Sequence, residues 1–504
     1  MDQDVIDELH QDRESAYDAA RPDVVEKIHQ RGRFTARERI DAILDPDSFV
    51  ESGVLAGPED EPAGGFVGGF GKLFGKSIAI ASYDYSVWGG TQTGLNHTKM
   101  DRVVEMAARH RWPMVFFADG GGARAQGLSG KGAGYSTMGT EVGMLDGLAY
   151  LSGWVPIVSV VSGRSFAGNA AIAGFSDVAI ATRGSSLGIG GPPLVEAALG
   201  LKLTPEELAP SEMHEQIGGI DLLVDNEAEA IKRTREYLTY FLIEKTESKV
   251  SPTHDSIRKI VPDNRRGVYD MRKVITALAD EGSILELRPN WAKAAITALV
   301  RMGGHTMAVI ANQPLSPTAG AIDSDASDKL ARFIQLADAF DLPILSLMDN
   351  PGYMLGPKAE RAGIARHSIR PLLAQMHRTV PLFLVHIRKA YGMGPTAMGF
   401  NYQPTDLRLA WPTVEAGGMS LEGAAALIRR KDGKNDSDER SEREARTELA
   451  GKLRERSLAL SAARSFAYDE VIDPAETRER VIRMLELLPK PPTRDRKKHY
   501  IDAW

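Results

Sequence analysis

Cysteine is absent from all 504 residues, which excludes disulfides, thiolate nucleophiles and thiolate zinc sites and fits a reducing compartment. A cytoplasmic location is the expectation. No run of about 18 apolar residues occurs, so no membrane-spanning helix and no membrane partner are expected, and the acidic opening MDQDVIDELHQDRE lacks the apolar centre of a signal peptide. A basic surplus is missing as well. Lys and Arg total 61 against 68 Asp and Glu, a formal charge of −7 that argues against a nucleic-acid partner. The chain has no Walker A loop, no HExxH and no GxSxG elbow, which sets aside the commonest phosphate-loop, metalloprotease and serine-hydrolase chemistries. No metal is expected, and the 11 histidines are scattered; His97, in Asn96-His97-Thr98-Lys99, reads as a capping or packing residue.

What is present is glycine, 49 copies, in a chain too long for a single ordinary core. Thr35 followed three positions later by Glu38 has the pattern of a helix capping box. Met100, Val103, Val104, Ala107 and Ala108 form a helical apolar stripe. A buried-strand run from Pro113 to Ala118 follows and ends in Asp119-Gly120-Gly121-Gly122-Ala123-Arg124. A second strand, Val155 to Val161, enters SGRSFAGNA and an Ala-rich helix, and a third spans Asp177 to Ala181. The same succession then returns: a stripe of Leu330, Phe333, Ile334 and Ala337, a strand Pro343 to Met348 ending in DNPGYMLG, a strand Val380 to Ile387 entering RKAYGMGP, and a strand Leu407 to Trp411. Two copies of one α/β unit are implied, about 230 residues apart. The polar stretch 245–268 marks the boundary, giving domains 1–250 and 251–504, and the charged run 429–457 reads as a solvated helix or a mobile excursion.

In each copy a glycine-bearing turn feeds a helix start, where main-chain N–H groups have no intrahelical acceptor and face negative oxygen well. A duplicated turn of this kind suggests two oxyanion holes, each donor contributing roughly 3 to 4 kcal/mol to lowering a barrier.

The segments TARERIDAILDPDSFVE, YDYSVWGG, DGGGARAQG, SGRSFAGNA with FSDVAIA, IDSDASDKLARF, MDNPGY, RKAYGMG and LAWPTVEA resemble the carboxyltransferase subunits of propionyl-CoA and acetyl-CoA carboxylases. That resemblance implies an α/β fold of two tandem crotonase-like (ClpP/crotonase, ββα spiral) domains. It implies a carboxyl group moved from carboxybiotin to the α-carbon of an acyl-CoA, with biotin itself as the base. By position, the amides of Ala167 and Gly168 would face the thioester carbonyl, and those of Met393 and Gly394 the biotin carbonyl. Gly121, Gly122, Ala123, Arg124, Phe166, Asn169 and Thr396 fall on the substrate side, and Gly352, Tyr353, Gly356, Tyr391 and Gly392 on the biotin side. Arg124 either meets a phosphate or braces its turn, and Asp119 reads as structural. The chain departs from the family's pattern at Arg164, Phe166, Ala167, Asn169, Met393, Gly394, Pro395 and Thr396, so a reshaped acyl pocket is expected. The expected partners are a biotin carboxylase and biotin carboxyl carrier subunit, the acyl-CoA, and further copies of the chain, as a hexamer. Biotin is expected on the partner chain, because no Met-Lys-Met attachment site occurs here. A biotin-dependent decarboxylase, a transcarboxylase, and a non-catalytic CoA-ester-binding scaffold are the competing readings.

Overall fold

The structure, a computed structural model, describes residues 3–58, 61–124, 143–265, 267–400, 404–432, 439–456 and 459–504. Ala125, Gln126 and Gly127 of the DGGGARAQG motif, and 433–438 of the charged run, lie outside them. The chain forms two compact units, Met1–Ile243 with Lys497–Ala503, and Glu244–Arg496 with Trp504. It parts a few residues before the expected position because Lys245 already bridges His305 of the second unit. The tail returns to the first unit, where the Lys497 ammonium donates to the carbonyls of Ala149 and Tyr150.

Each unit begins with an antiparallel hairpin and continues as a parallel sheet. In the first, Phe66–Leu73 and Lys76–Tyr83 are joined by Phe74 and Gly75, both at positive φ (53° and 73°). Such a two-residue turn matches the right-handed twist of the strands it connects. In the second, Gly303 and Gly304 (62° and 80°) join Ala295–Met302 to His305–Asn312 in the same way. Parallel strands then follow: Met114–Phe117, Ile157–Val161, Val178–Thr182 and Leu222–Val224 in the first unit. In the second they are Ile344–Asn350, Leu382–Tyr391, Leu407–Ala410 and Glu470–Val471. Met114–Phe117 and Ile157–Val161 are buried along their whole length. That is the burial of a sheet covered on both faces, and it explains the uninterrupted apolar runs in the sequence.

The two striped helices, Gly94–His110 and Ser324–Ala339, lie against these sheets. Thr93 caps the first through a capping box with Asn96, and Asp323 caps the second by accepting from the Ala326 N–H. One buried lysine on each helix gathers the carbonyls that precede the hairpin or open it. Lys99 donates to Ala63 and Phe66 at 2.6 Å each. Lys329 donates to Arg288, Trp291 and Ala295 at 2.8 to 3.0 Å. The two caps and the two lysines are both about 230 positions apart, so the duplication extends to polar contacts that an apolar pattern does not reveal. Among the described residues no helix is long and apolar enough to cross a membrane.

Candidate active site in two main-chain turns

Asp119 and Asp349 end equivalent strands and do equivalent work. Asp119 accepts from the Ser162 and Gly163 amides at 2.9 and 2.8 Å, and its other oxygen accepts from Arg39 at 2.8 Å. Arg39, on the helix capped by Thr35 and Glu38, also pairs with Glu227 at 2.7 Å, with all three side chains buried. Asp349 accepts from the Lys389 amide, the Arg388 guanidinium and the Tyr269 hydroxyl at 3.1, 3.0 and 2.9 Å. Each aspartate thus pins the turn leaving the neighbouring strand, and removing one member of such a buried pair costs about 3 to 5 kcal/mol. Asp119 is structural, as expected.

The segment after each aspartate is held by the same two bonds. The Gln92 N–H donates to the Gly122 carbonyl at 2.7 Å and the Arg124 N–H to the Gln92 carbonyl at 2.9 Å. In the second unit the Ile322 N–H donates to Gly352 at 3.0 Å and the Met354 N–H to Ile322 at 2.8 Å. Gly122 (φ 79°) and Gly352 (φ 117°) occupy corresponding places. Arg124 braces its turn: its guanidinium forms a pair with Glu61 at 2.8 Å, bonds Thr91 Oγ1 at 3.3 Å and lies over the Trp88 ring. Gly121 and Ala123 are exposed beside it.

In the first turn, Arg164–Phe166 pairs in parallel with Ser186–Gly188, and helix Gly168–Phe175 follows. The Ala167 N–H donates to the Gly188 carbonyl at 3.1 Å and is therefore not a vacant donor, which corrects the expectation of an Ala167–Gly168 pair. The Gly168 N–H, at the helix start, has no acceptor among the described residues. Ala167 carries φ 52° and ψ −120°, a region costing a non-glycine residue about 1 to 3 kcal/mol, and such strain clusters at functional sites. Gln92, which sequence reasoning passed over, packs against Gly168: a Cβ there would lie 2.3 Å from Gln92 Oε1. The Gln92 Nε2 in turn donates to the Tyr83 hydroxyl at 3.0 Å.

Two expected substrate contacts in this unit are turned inward. Asn169 is fully buried, its Oδ1 accepting from the Gly122 N–H at 3.1 Å and its Nδ2 directed at the Asp119 carbonyl at 3.5 Å. It ties the aspartate's loop to the helix that starts at Gly168. Phe166 is buried, with its ring beside Gly188 and Gly191.

The second turn is more open. Strand Leu382–Tyr391 runs on into Gly392 and Met393, both exposed, and the short helix Gly394–Ala397 begins at once. The Gly392 N–H is taken by Gly417 at 3.0 Å, while those of Met393 and Gly394 have no acceptor among the described residues. Thr396 is buried, and its hydroxyl donates back to the Met393 carbonyl at 2.6 Å, bracing this turn. Tyr353 donates to the Ser368 carbonyl at 2.8 Å. Tyr391 is buried and its hydroxyl donates to Glu415 at 2.5 Å, so it supports the turn. Burial opposes the charge on Glu415, but hydrogen bonds from Tyr391, Arg454 and Arg265 outweigh it and hold the carboxyl below its ordinary range. Gly356 (φ 98°) is exposed and caps the helix Pro357–Arg361. Asn350 Oδ1 accepts from the Gly352 N–H at 2.6 Å and packs on Gly394. Among the described residues no group of acidic or histidine side chains is arranged to hold a metal.

Two tandem crotonase-like units whose turns present main-chain amides define a class of enzyme that works on a developing negative oxygen. The model of the carboxyl transferase domain family matches residues 27–501, and the chain belongs to that family. Over 497 residues it is 35% identical to the methylmalonyl-CoA carboxyltransferase 12S subunit of Propionibacterium freudenreichii subsp. shermanii, covering 94% of this chain and 92% of that one. It is 33% identical to the propionyl-CoA carboxylase beta chain of Roseobacter denitrificans, over 95% of each. A transcarboxylase 12S crystal structure, described as a hexamer with methylmalonyl-coenzyme A and methylmalonic acid bound, matches with TM-score 0.85 and 32% identity over 98% of each chain.

Proposed function

We propose that the protein is the carboxyltransferase subunit of a biotin-dependent acyl-CoA carboxylase. The observation that carries this reading is the pair of corresponding turns whose N–H groups find no acceptor among the described residues, Gly168 in one unit and Met393 with Gly394 in the other. Neither turn presents a side-chain nucleophile. In the first unit, the Gly168 N–H donates to the thioester carbonyl and holds the negative charge that grows on it as the α-proton leaves. The loop 120–124, locked by Asn169 and Gln92, keeps that donor in place. In the second, the adjacent N–H groups of Met393 and Gly394 would take the carbonyl oxygen of biotin's ureido ring, in a turn whose shape Tyr391, Glu415 and Thr396 fix. Carboxybiotin, carried by a partner chain, supplies the carboxyl group and the acceptor for the proton. Positioning and fixed dipoles then account for the catalysis without an acid–base side chain.

Further copies of the chain complete the enzyme as a homo-oligomer, and the hexamer described for the 12S relative supports that reading. Supplied with a biotin carboxylase and carrier subunit, ATP and bicarbonate, the protein is expected to carboxylate at least one member of a broad panel of CoA esters. Failure on every ester refutes the assignment. Biotin-stimulated decarboxylation of a malonyl-type CoA ester separates the enzyme from a scaffold, which would show none.

A further inference from the structure

The charged run of the second unit is fastened to the second turn through one side chain. Helices Leu421–Lys431 and Glu439–Arg456 carry it. Glu442 ties the two together, pairing with Arg429 of the first helix at 2.8 Å and with Arg446 of its own at 2.6 Å. The outer face of the second helix is solvated, as its composition suggests: Arg440 pairs with Glu444 and Lys452 with Glu448, all four exposed. The inner face is docked. Ala450 is buried there, and Leu449 and Leu453 pack beside it in a small cluster with Tyr391, Leu421 and Ala425.

One turn further along this helix, Arg454 reaches Glu415. Glu415 is 3% exposed, and a carboxylate buried to that degree needs its oxygens filled. One oxygen accepts from the Tyr391 hydroxyl, and the other accepts from Arg265 Nη1 at 2.7 Å and from Arg454 Nε at 2.8 Å. Arg454 Nη2 also donates to Glu422 at 3.2 Å, in the first turn of the preceding helix. Strand Glu415–Gly417 pairs in parallel with Lys389–Tyr391, and its last carbonyl takes the Gly392 N–H. Glu415 therefore grips both strand ends that lead to Met393 and Gly394, one through the Tyr391 side chain and the other through its own main chain. A strand of three residues has few ladder bonds to fix its register, so the turn depends on what holds this carboxylate. We infer that Arg454 is a positioning residue of the second turn, and that the charged helix pair is the clamp that presents it. Arg454 acts through Glu415 and Tyr391 on the direction of the Met393 and Gly394 N–H groups. This rests on the reading of that turn as the biotin site and gives the charged run its part in it.

The test follows decarboxylation of a malonyl-type CoA ester by the full-length protein, with free biotin and the ester varied in turn. Arg454→Met keeps the aliphatic stem and removes the guanidinium. It is expected to lower kcat/KM for biotin about tenfold, part of the loss that a misplacement near 1 Å brings, and to leave KM for the ester unchanged. Arg454→Lys, which keeps a cation beside Glu415, is expected to recover most of the loss. Lys452→Gln, on the exposed face of the same helix, is expected to match the wild type. In a Glu415→Gln background, Arg454→Met is expected to add less than about twofold, because residues that act through one another are not additive. Hydrogen exchange across 389–392, where Gly417 holds the Gly392 N–H, is expected to quicken in Arg454→Met. Full additivity with Glu415→Gln, a wild-type kcat/KM for biotin in Arg454→Met, an equal rise in both KM values, no recovery in Arg454→Lys, or unchanged exchange across 389–392 overturns the inference. Should Arg454→Met fail to fold, Arg454→Gln takes its place with the same expectations. If the wild type shows no biotin-stimulated decarboxylation, the carboxyltransferase reading has failed, while the exchange measurement still decides the clamp.

Discussion

Replacing Gly394 with alanine would place a Cβ 2.2 Å from Asn350 Oδ1 and 2.8 Å from the Cα and carbonyl carbon of Gly352. Asn350 is fully buried and already holds the Gly352 N–H, so neither neighbour is a flexible side-chain end that can swing aside. The turn itself must move, by roughly 1 Å to restore ordinary contact distances. Overpacking of this kind costs about 1 to 3 kcal/mol of stability. A misplacement near 1 Å costs about 100-fold in rate, in line with the 100- to 1000-fold that follows loss of one oxyanion donor. Gly394→Ala is therefore expected to lower kcat about 100-fold in the coupled carboxylation assay, with KM for the acyl-CoA unchanged because that substrate sits in the other unit. Gly392→Ala is the control. Gly392 has φ 62°, but the nearest atom to a built Cβ is Gly418 O at 3.6 Å. The strain is then of order 1 kcal/mol and the loss of rate at least tenfold smaller. A folded Gly394→Ala protein with near wild-type kcat, or a Gly392→Ala protein equally impaired, would refute the argument from main-chain donors.

Ala167→Gly relieves a strained φ/ψ pair and is expected to stabilise the first unit by about 1 kcal/mol after the added freedom of glycine in the unfolded chain is subtracted; a lower Tm in calorimetry would contradict this. Asn169→Ala leaves the buried Gly122 N–H without its acceptor, at a cost of about 1 to 3 kcal/mol, and hydrogen exchange at 120–124 is expected to accelerate before exchange in the sheet strands does. Glu415, whose folded pKa is depressed, contributes stability that is fully present above its unfolded value near 4.5 and is lost as pH falls through the folded pKa. The wild type should accordingly lose stability relative to Glu415→Gln on acidification below about pH 4.5, and identical pH profiles for the two proteins would show that this carboxylate is not held as described.

How much of this was legible beforehand differs from residue to residue. The strands Met114–Phe117 and Ile344–Asn350 were visible because strands buried on both faces need unbroken apolar runs. The Thr35–Glu38 box was visible because both partners lie within one helical turn. Local chemistry of that kind is written into consecutive residues. The commitment of the Ala167 N–H was not, because its acceptor, Gly188, is brought alongside only when Ser186–Gly188 pairs with Arg164–Phe166. Arg124 looked free to meet a phosphate until the fold delivered Glu61 to it, and Asn169 looked like a pocket residue until the loop after Asp119 closed over it.

By itself, then, the sequence determined two copies of an α/β unit, the order of their strands and the positions of the two turns, because periodicity and glycine placement are properties of short stretches. Only the tertiary structure decided which amides find no acceptor among the described residues and which side chains face inward. Those depend on hydrogen bonds and ion pairs between residues tens of positions apart, where burial makes an unmatched polar group costly and the neighbour that satisfies it is chosen by the fold.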